Sequence, residues 1–302
     1  MSLSIYNIKK WIKMFCGKSI LHVNQGVGKV YSLTEIKGYY NDLTNKVLKD
    51  REINEVKIPT FEAPNGETVL FPITIFQYGL GAYDLYLLEK KELYFEKFKQ
   101  CAEWALNNQQ ANGAWNAFFF IYPDAPYSSM AQGEGTSLLL RAFKEFNSEE
   151  YLLAAKQAID YMIKPIDQGG TALYVDDEIY FLEYTNKPVV LNGWIFSLFG
   201  LYDYFKVTDD DKVREIFNIS TRTLVKKIAD FDNGFWSMYD IDCKITSSFY
   251  HKLHIAQLFA LNEMTGNRVF VDYHTKWLKY MERPTNRIRV FLIKALQKVR
   301  EK

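Results

Sequence analysis

Cysteine is scarce: Cys16, Cys101 and Cys243 are spread along 302 residues without any CxxC spacing. That excludes a disulfide framework and a thiolate zinc site, and fits reduced thiols in a cytosol. Charge of one sign is equally lacking. With 37 basic and 36 acidic residues the formal net charge is +1, so no overall field draws in nucleic acid or an anionic bilayer. Long apolar runs are missing too. The opening SIYNIKKWIKMFCGK interrupts its apolar residues with lysines, too short and too charged for a signal-peptide core or a transmembrane span. It reads as an amphipathic lead-in helix, which suggests a cytoplasmic chain and leaves contact with a membrane surface open. A phosphate-binding loop is also absent, because QGVGKVY has neither the spacing nor the hydroxyl such a loop needs.

Apolar and aromatic residues are plentiful, at 48% and 16%, with 21 Tyr and 22 Phe. That is ample for a core, and it also suits surfaces that stack on sugars or flat ligands. From Ile73 onward the apolar spacing becomes that of helices arranged in pairs. ITIFQYGLGAYDLYLLEKK is followed by LYFEKFKQCAEWALNNQQ, and SSMAQGEGTSLLLRAFKEF by EEYLLAAKQAIDYMIKP. VVLNGWIFSLFGLYDYFKV precedes DKVREIFNISTRTLVKKIA, and YHKLHIAQLFALNEM precedes RVFVDYHTKWLKYME. Tyr78, Gln132, Asn192 and His254 anchor the four copies of this variable-loop repeat. In each copy the first helix is apolar and opens with small or polar residues, while the second carries more charge, as expected of inner and outer rings. The expected fold is all-α: an α/α toroid, or incomplete α/α barrel, of about four helical hairpins with small β-hairpins in the loops. A plain helical solenoid is the competing architecture. Residues 1–58 are expected as lead-in helices and a turn, and 59–302 as the catalytic domain.

Chemistry concentrates in YFLEYTNKPVVLNGW, where Glu183 stands beside Tyr184 before the third inner helix. A carboxylate raised by burial and a neighbouring phenol suit proton transfer on a carbon acid. Tyr239 and Asp240 precede the fourth inner helix, which opens on Tyr250, His251 and His254. The two histidines share a helical face, but no carboxylate at metal-ligand spacing accompanies them, so no metal is expected and a histidine turned toward substrate or a tyrosine is favoured. Asp209, Asp210 and Asp211 lie between paired helices, where they read as a helix cap rather than a diphosphate-magnesium motif. Trp115, Tyr127, Tyr184, Trp236 and Tyr239 are expected to line a sugar cleft, with Gln132 and Asn192 opening inner helices beside it.

NQQANGAW, PYSSMAQGEGTSLLLRAF, EYTNKPVVLNGWIFSLFGLYDY, the WSMYD loop, YHKLHIAQL and WLKY occur in that order between about residues 60 and 281. Together they resemble the C-terminal catalytic domain of the D-glucuronyl C5-epimerases, which act on heparosan and heparan-type glycosaminoglycans. The resemblance implies an α/α barrel that inverts carbon 5 of a uronic acid within a polysaccharide, without a cofactor. It places the proton-transfer groups on Glu183, Tyr184, Tyr239 and Tyr250. Two departures stand out. The family's YDLRH reads YDIDCK here, so Asp242 replaces an arginine suited to the substrate carboxylate, and Lys244, Arg141 or a helix N-terminus would have to compensate. No long β-rich region precedes the matching segment. A uronan lyase shares the same carbanion, a hydrolase would use Glu183 and Asp240, and a silent glycan-binding protein would keep only the aromatics. All three stay open at this level, as does a homodimer.

Overall fold

Eight helices of two kinds alternate along the chain, and the composition of each kind sets its place. The computed structural model describes residues 23–50 and 52–300. A short α1 (Thr44–Leu48) is followed by four inner helices of 18 residues each: α2 (Pro72–Glu89), α4 (Ser129–Phe146), α6 (Leu191–Thr208) and α8 (Ser248–Thr265). Their outer partners are α3 (Glu92–Asn107), α5 (Glu149–Ile163), α7 (Asp211–Lys227) and α9 (Arg268–Glu282). The first three inner helices are buried on nearly every side through their first turns and the fourth from Leu253 onward, whereas the outer ones hide a single stripe. Each inner helix packs on its own partner and on the next inner helix, in the order α2, α4, α6, α8. The result is the incomplete α/α toroid expected from the repeat.

Local chemistry punctuates the repeat regularly. All four inner helices stop at a left-handed residue, Lys90, Asn147, Asp209 and Gly266, with φ of 55, 51, 53 and 65°. The cap reading of the aspartate run agrees with the structure: Asp210 accepts the Val213 amide at 3.0 Å and opens α7. β1 (Phe61–Glu62) and β2 (Thr68–Val69) form one antiparallel hairpin, with Pro64, Asn65 and Gly66 in the turn between them. β3 (Ala172–Val175) and β4 (Glu178–Phe181) form another, with Ala172 opposite Phe181. The helix starts lie at residues 72, 129, 191 and 248, so the sequence anchors are not equivalent positions. Tyr78 and His254 fall in the second turn, and the Tyr78 hydroxyl turns to Asp50 and to Lys97 of outer helix α3, not to the mouth.

Residues 23–50 belong to the same core. Asp84, Arg141 and Asp203 each occupy the thirteenth place of their inner helix, and the segment around Tyr39 lies across all three. The Tyr39 amide donates to Asp84 at 2.9 Å, Arg141 donates to the Gly38 carbonyl at 2.9 Å, and the Tyr40 hydroxyl donates to Asp203 at 2.5 Å. This closes the end of the toroid away from the helix starts. The expected lead-in helix over residues 4–18 lies outside the described residues. A further helix, α10 (Pro284–Arg300), follows the repeats and was not anticipated.

Inner helices α4 and α6 meet backbone to backbone, because Gly133 and Gly200 carry no side chain between them. A methyl at Gly200 would stand 2.4 Å from the Gly133 Cα. Gly200→Ala is therefore expected to lower stability by about 1–3 kcal/mol or more, measured by chemical denaturation, with no pH dependence.

Candidate active site

The start of α6 is the centre of the site. Glu183 follows β4 and is held over α6 by two contacts: the Ser129 amide of α4 donates to the Leu182 carbonyl at 3.0 Å, and the Asn192 amide donates to Glu183 Oε2 at 3.2 Å. Gly193 makes the close approach available, since a Cβ there would lie 2.5 Å from the Glu183 Cβ and 2.6 Å from Oε2. Glu183 is only 5% exposed. Burial pushes its carboxyl up to about 7, against hydrogen bonding from Tyr184 and Asn192 that lowers it.

Three phenols adjoin this carboxyl from separate segments. Tyr184 stacks on Phe118 at 4.4 Å between centroids, with Tyr122 edge-on at 5.8 Å. The loop carrying Tyr239 is tied to the start of α6: the Leu191 amide donates to the Tyr239 carbonyl and the Ile241 amide to the Val189 carbonyl, both at 3.1 Å. Tyr250, in the first turn of α8, meets the Tyr239 ring edge-on at 5.0 Å. The Tyr184 hydroxyl interacts with Glu183 and with Tyr239, and Tyr239 in turn interacts with Tyr250. Burial holds all three phenols protonated, and the Glu183 charge adds to that effect on each. The arrangement is one buried carboxyl that ionises near neutrality, joined to three proton-bearing hydroxyls.

The other expected site residues separate into a frame and a margin. Gln132 donates to the carbonyls of Gly113 and Ala158 and accepts the Trp115 amide, so it fastens the 113–115 loop to the helices. Trp115 is buried, its indole N–H spent on the Ala105 carbonyl at 2.9 Å. Trp236 lies face to face with His251 at 3.7 Å, inside the core. His251 bonds Ser237 and the Trp277 carbonyl, and His254 bonds the same serine. Burial keeps both rings neutral, His251 pushed down to about 3. The histidines thus support the loop that presents Tyr239, and their helical face is filled by packing. Arg141 lies at the opposite end of the barrel in an ion pair with Asp203 at 2.7 Å, 1% and 0% exposed, so it has no path to a ligand at the mouth. Tyr127 is half-buried, donating to Gln110 at 3.0 Å. Asp240 accepts the Lys244 amide within its own turn at 3.1 Å and ion-pairs with the Lys244 ammonium at 3.5 Å. Asp242 is exposed and lines a cavity of ≈ 370 Å³ with Lys187 and Tyr180.

One group escaped the sequence reading. Glu134, fully buried in the second turn of α4, accepts from Gln77 at 2.8 Å through Oε1, while Oε2 has no partner among the described residues. Burial raises it to about 8, with Gln77 and Lys46 opposing and the Glu183 charge reinforcing the shift. Buried Lys46 is correspondingly lowered to about 8. The available signal was a lone carboxylate between two glycines, GEG, in the first half of an apolar inner helix.

An α/α toroid bearing a tyrosine-ringed carboxyl at its mouth is the class that fold and site define. Residues 109–279 match the family described as D-glucuronyl C5-epimerase C-terminus, and the chain belongs to it. A D-glucuronyl C5-epimerase of Caenorhabditis elegans is 27% identical over 223 residues, which cover 64% of this chain and 36% of that protein. An uncharacterized protein of Methanocaldococcus jannaschii is 27% identical over 155 residues, covering 49% of this chain and 50% of its own. The chain thus spans half or less of these relatives. Among solved structures, a UGL variant with dGlcA-Glc-Rha-Glc superposes with a TM-score of 0.50 at 13% identity, over 69% of this chain and 61% of that one. That likeness concerns the fold alone. No described helix is long and apolar enough to cross a membrane.

Proposed function

We propose that this chain inverts carbon 5 of a uronic acid residue within a polysaccharide by proton transfer on the two faces of the ring. The observation that carries the reading is the Glu183–Tyr184–Tyr239–Tyr250 cluster, with the carboxyl poised to ionise near neutral pH. Glu183 as carboxylate takes the carbon-5 proton, whose electron pair passes into the adjacent carboxyl group. Tyr250 returns a proton from its hydroxyl to the opposite face and is left as phenolate. The proton on Glu183 then moves back through Tyr184 and Tyr239 to Tyr250, restoring the starting state.

The order of events follows from electrostatics. The Glu183 charge is one reason Tyr250 resists ionisation. Once Glu183 is protonated that charge is gone, and Tyr250 becomes the better acid when it is needed. Lys187, whose ammonium sits 5.1 Å from the centroid of the Tyr122 ring, supplies the cation for the substrate carboxylate in place of the family's arginine.

Incubation of uronan oligosaccharides with the chain in heavy water tests the proposal. Deuterium is expected at carbon 5, with both epimers present. Ultraviolet absorbance without exchange would assign a lyase. New reducing ends would assign a hydrolase, a reading weakened by the commitment of Asp240 to its own turn. No change in any channel would leave only binding and dismiss an enzymatic role.

A further inference from the structure

The segments behind Tyr184 build a second concavity. Phe118 stacks on Tyr184, and Phe71 packs against Phe118 at 5.8 Å. The neighbours of these two residues line a cavity of ≈ 320 Å³ on another side, walled by Trp104, Trp115, Phe119, Asn108, Gln110 and Asn116. Its size falls at the low end of the roughly 300–1,000 Å³ of small-molecule sites. Phe119 is 40% exposed at the rim. Asn116 Oδ1 is buried without a partner among the described residues, an acceptor whose burial is costly until a ligand donates to it.

We infer that this cavity is a glycan subsite that binds an uncharged pyranose unit. Aromatic faces suit the C–H face of a pyranose, and the amides of Asn108, Gln110 and Asn116 suit its hydroxyl or acetamido groups. No acidic or basic side chain lines it, so a sulfated or uronic unit would lose water there without gaining a counter-charge. The inference rests on the glycan reading of the Glu183 site only in making this unit a neighbour of the reacting uronate. The substrate class that follows is a chain in which the uronate is flanked by neutral, unsulfated sugars.

The test is direct binding, read by tryptophan fluorescence, of three uncharged tetrasaccharides: β-1,4-linked glucose, β-1,4-linked N-acetylglucosamine and α-1,6-linked mannose. At least one is expected to bind saturably to the full chain, and its O-sulfated form about tenfold more weakly. Phe119→Ala and Asn116→Ala are each expected to weaken it about tenfold with an unchanged circular dichroism melt. Glu183→Gln should leave this affinity unaltered, which separates failure of the subsite from failure of the epimerase reading. Absence of binding by all three sugars overturns the subsite. So does affinity unchanged in both cavity variants, or tighter binding of the sulfated form.

Discussion

Glu183→Gln is expected to slow proton exchange at carbon 5 by about 10²–10⁴-fold while leaving uronan binding intact. Glutamine keeps the size and the bond from Asn192 but accepts no proton. Because burial raises the carboxyl to about 7, exchange by the parent chain should climb with a one-proton slope and level off above that pH. Gly193→Ala should cause a comparable loss by another route, since its methyl would occupy space now held by the Glu183 side chain. A stability measurement accompanies the rate. The fold holds this proton more tightly than an unfolded glutamate of pKa about 4.3 does. The native state is therefore favoured at low pH, and that advantage is lost as pH rises from about 4 through 7. Glu183→Gln should match the parent at about pH 4 and exceed it at about pH 8 in denaturant midpoint. Full exchange activity in this variant would remove Glu183 from the chemistry. A stability gap that does not widen with pH would remove the burial account.

Arg141→Met should destabilise the fold by about 3–5 kcal/mol, because it takes the nearest cation, at 2.7 Å, from a fully buried Asp203. Burial opposes the Asp203 charge, yet Arg141, Lys206 and Tyr40 together hold its carboxyl below the usual range. Stability from this aspartate is thus present above its unfolded pKa of about 3.9 and is lost as pH falls through the lower folded value. In the variant only Lys206 and the Tyr40 hydroxyl remain to oppose the burial of Asp203, so its proton affinity rises and the deficit should shrink at acid pH. The double variant Arg141→Met, Asp203→Leu should recover most of the loss, as replacing a whole buried pair by apolar groups is often neutral. Equal urea midpoints for Arg141→Met and the parent would contradict a structural role for this pair.

Much of the architecture was legible because helical periodicity is a local property. The paired segments from Ile73 to Glu282 name their helices within three residues, and Asp210 marks the start of α7 as a cap. The aromatic residues were harder. Trp115 and Trp236 stand in glycine-rich loops, as cleft residues do, yet each is buried by a neighbour distant in sequence, Phe76 for one and His251 for the other. Arg141 could not be assigned from its helix alone, since its guanidinium is claimed by Asp203 and by the Gly38 carbonyl.

By itself the sequence determined the all-α repeat and the family, because periodicity and motif order are written along the chain, and the resemblance to that family proposed the four residues for proton transfer. Only the tertiary structure decided which polar residues are spent on the frame. Gln132, Arg141, His251 and His254 have the same hydrogen-bonding chemistry whether they hold a loop or a sugar, and long-range packing selects between the two. It also brought Glu134 into electrostatic reach of Glu183. The physical reason is that burial and proximity, which set a carboxyl's proton affinity, are sums over neighbours that a linear pattern does not contain.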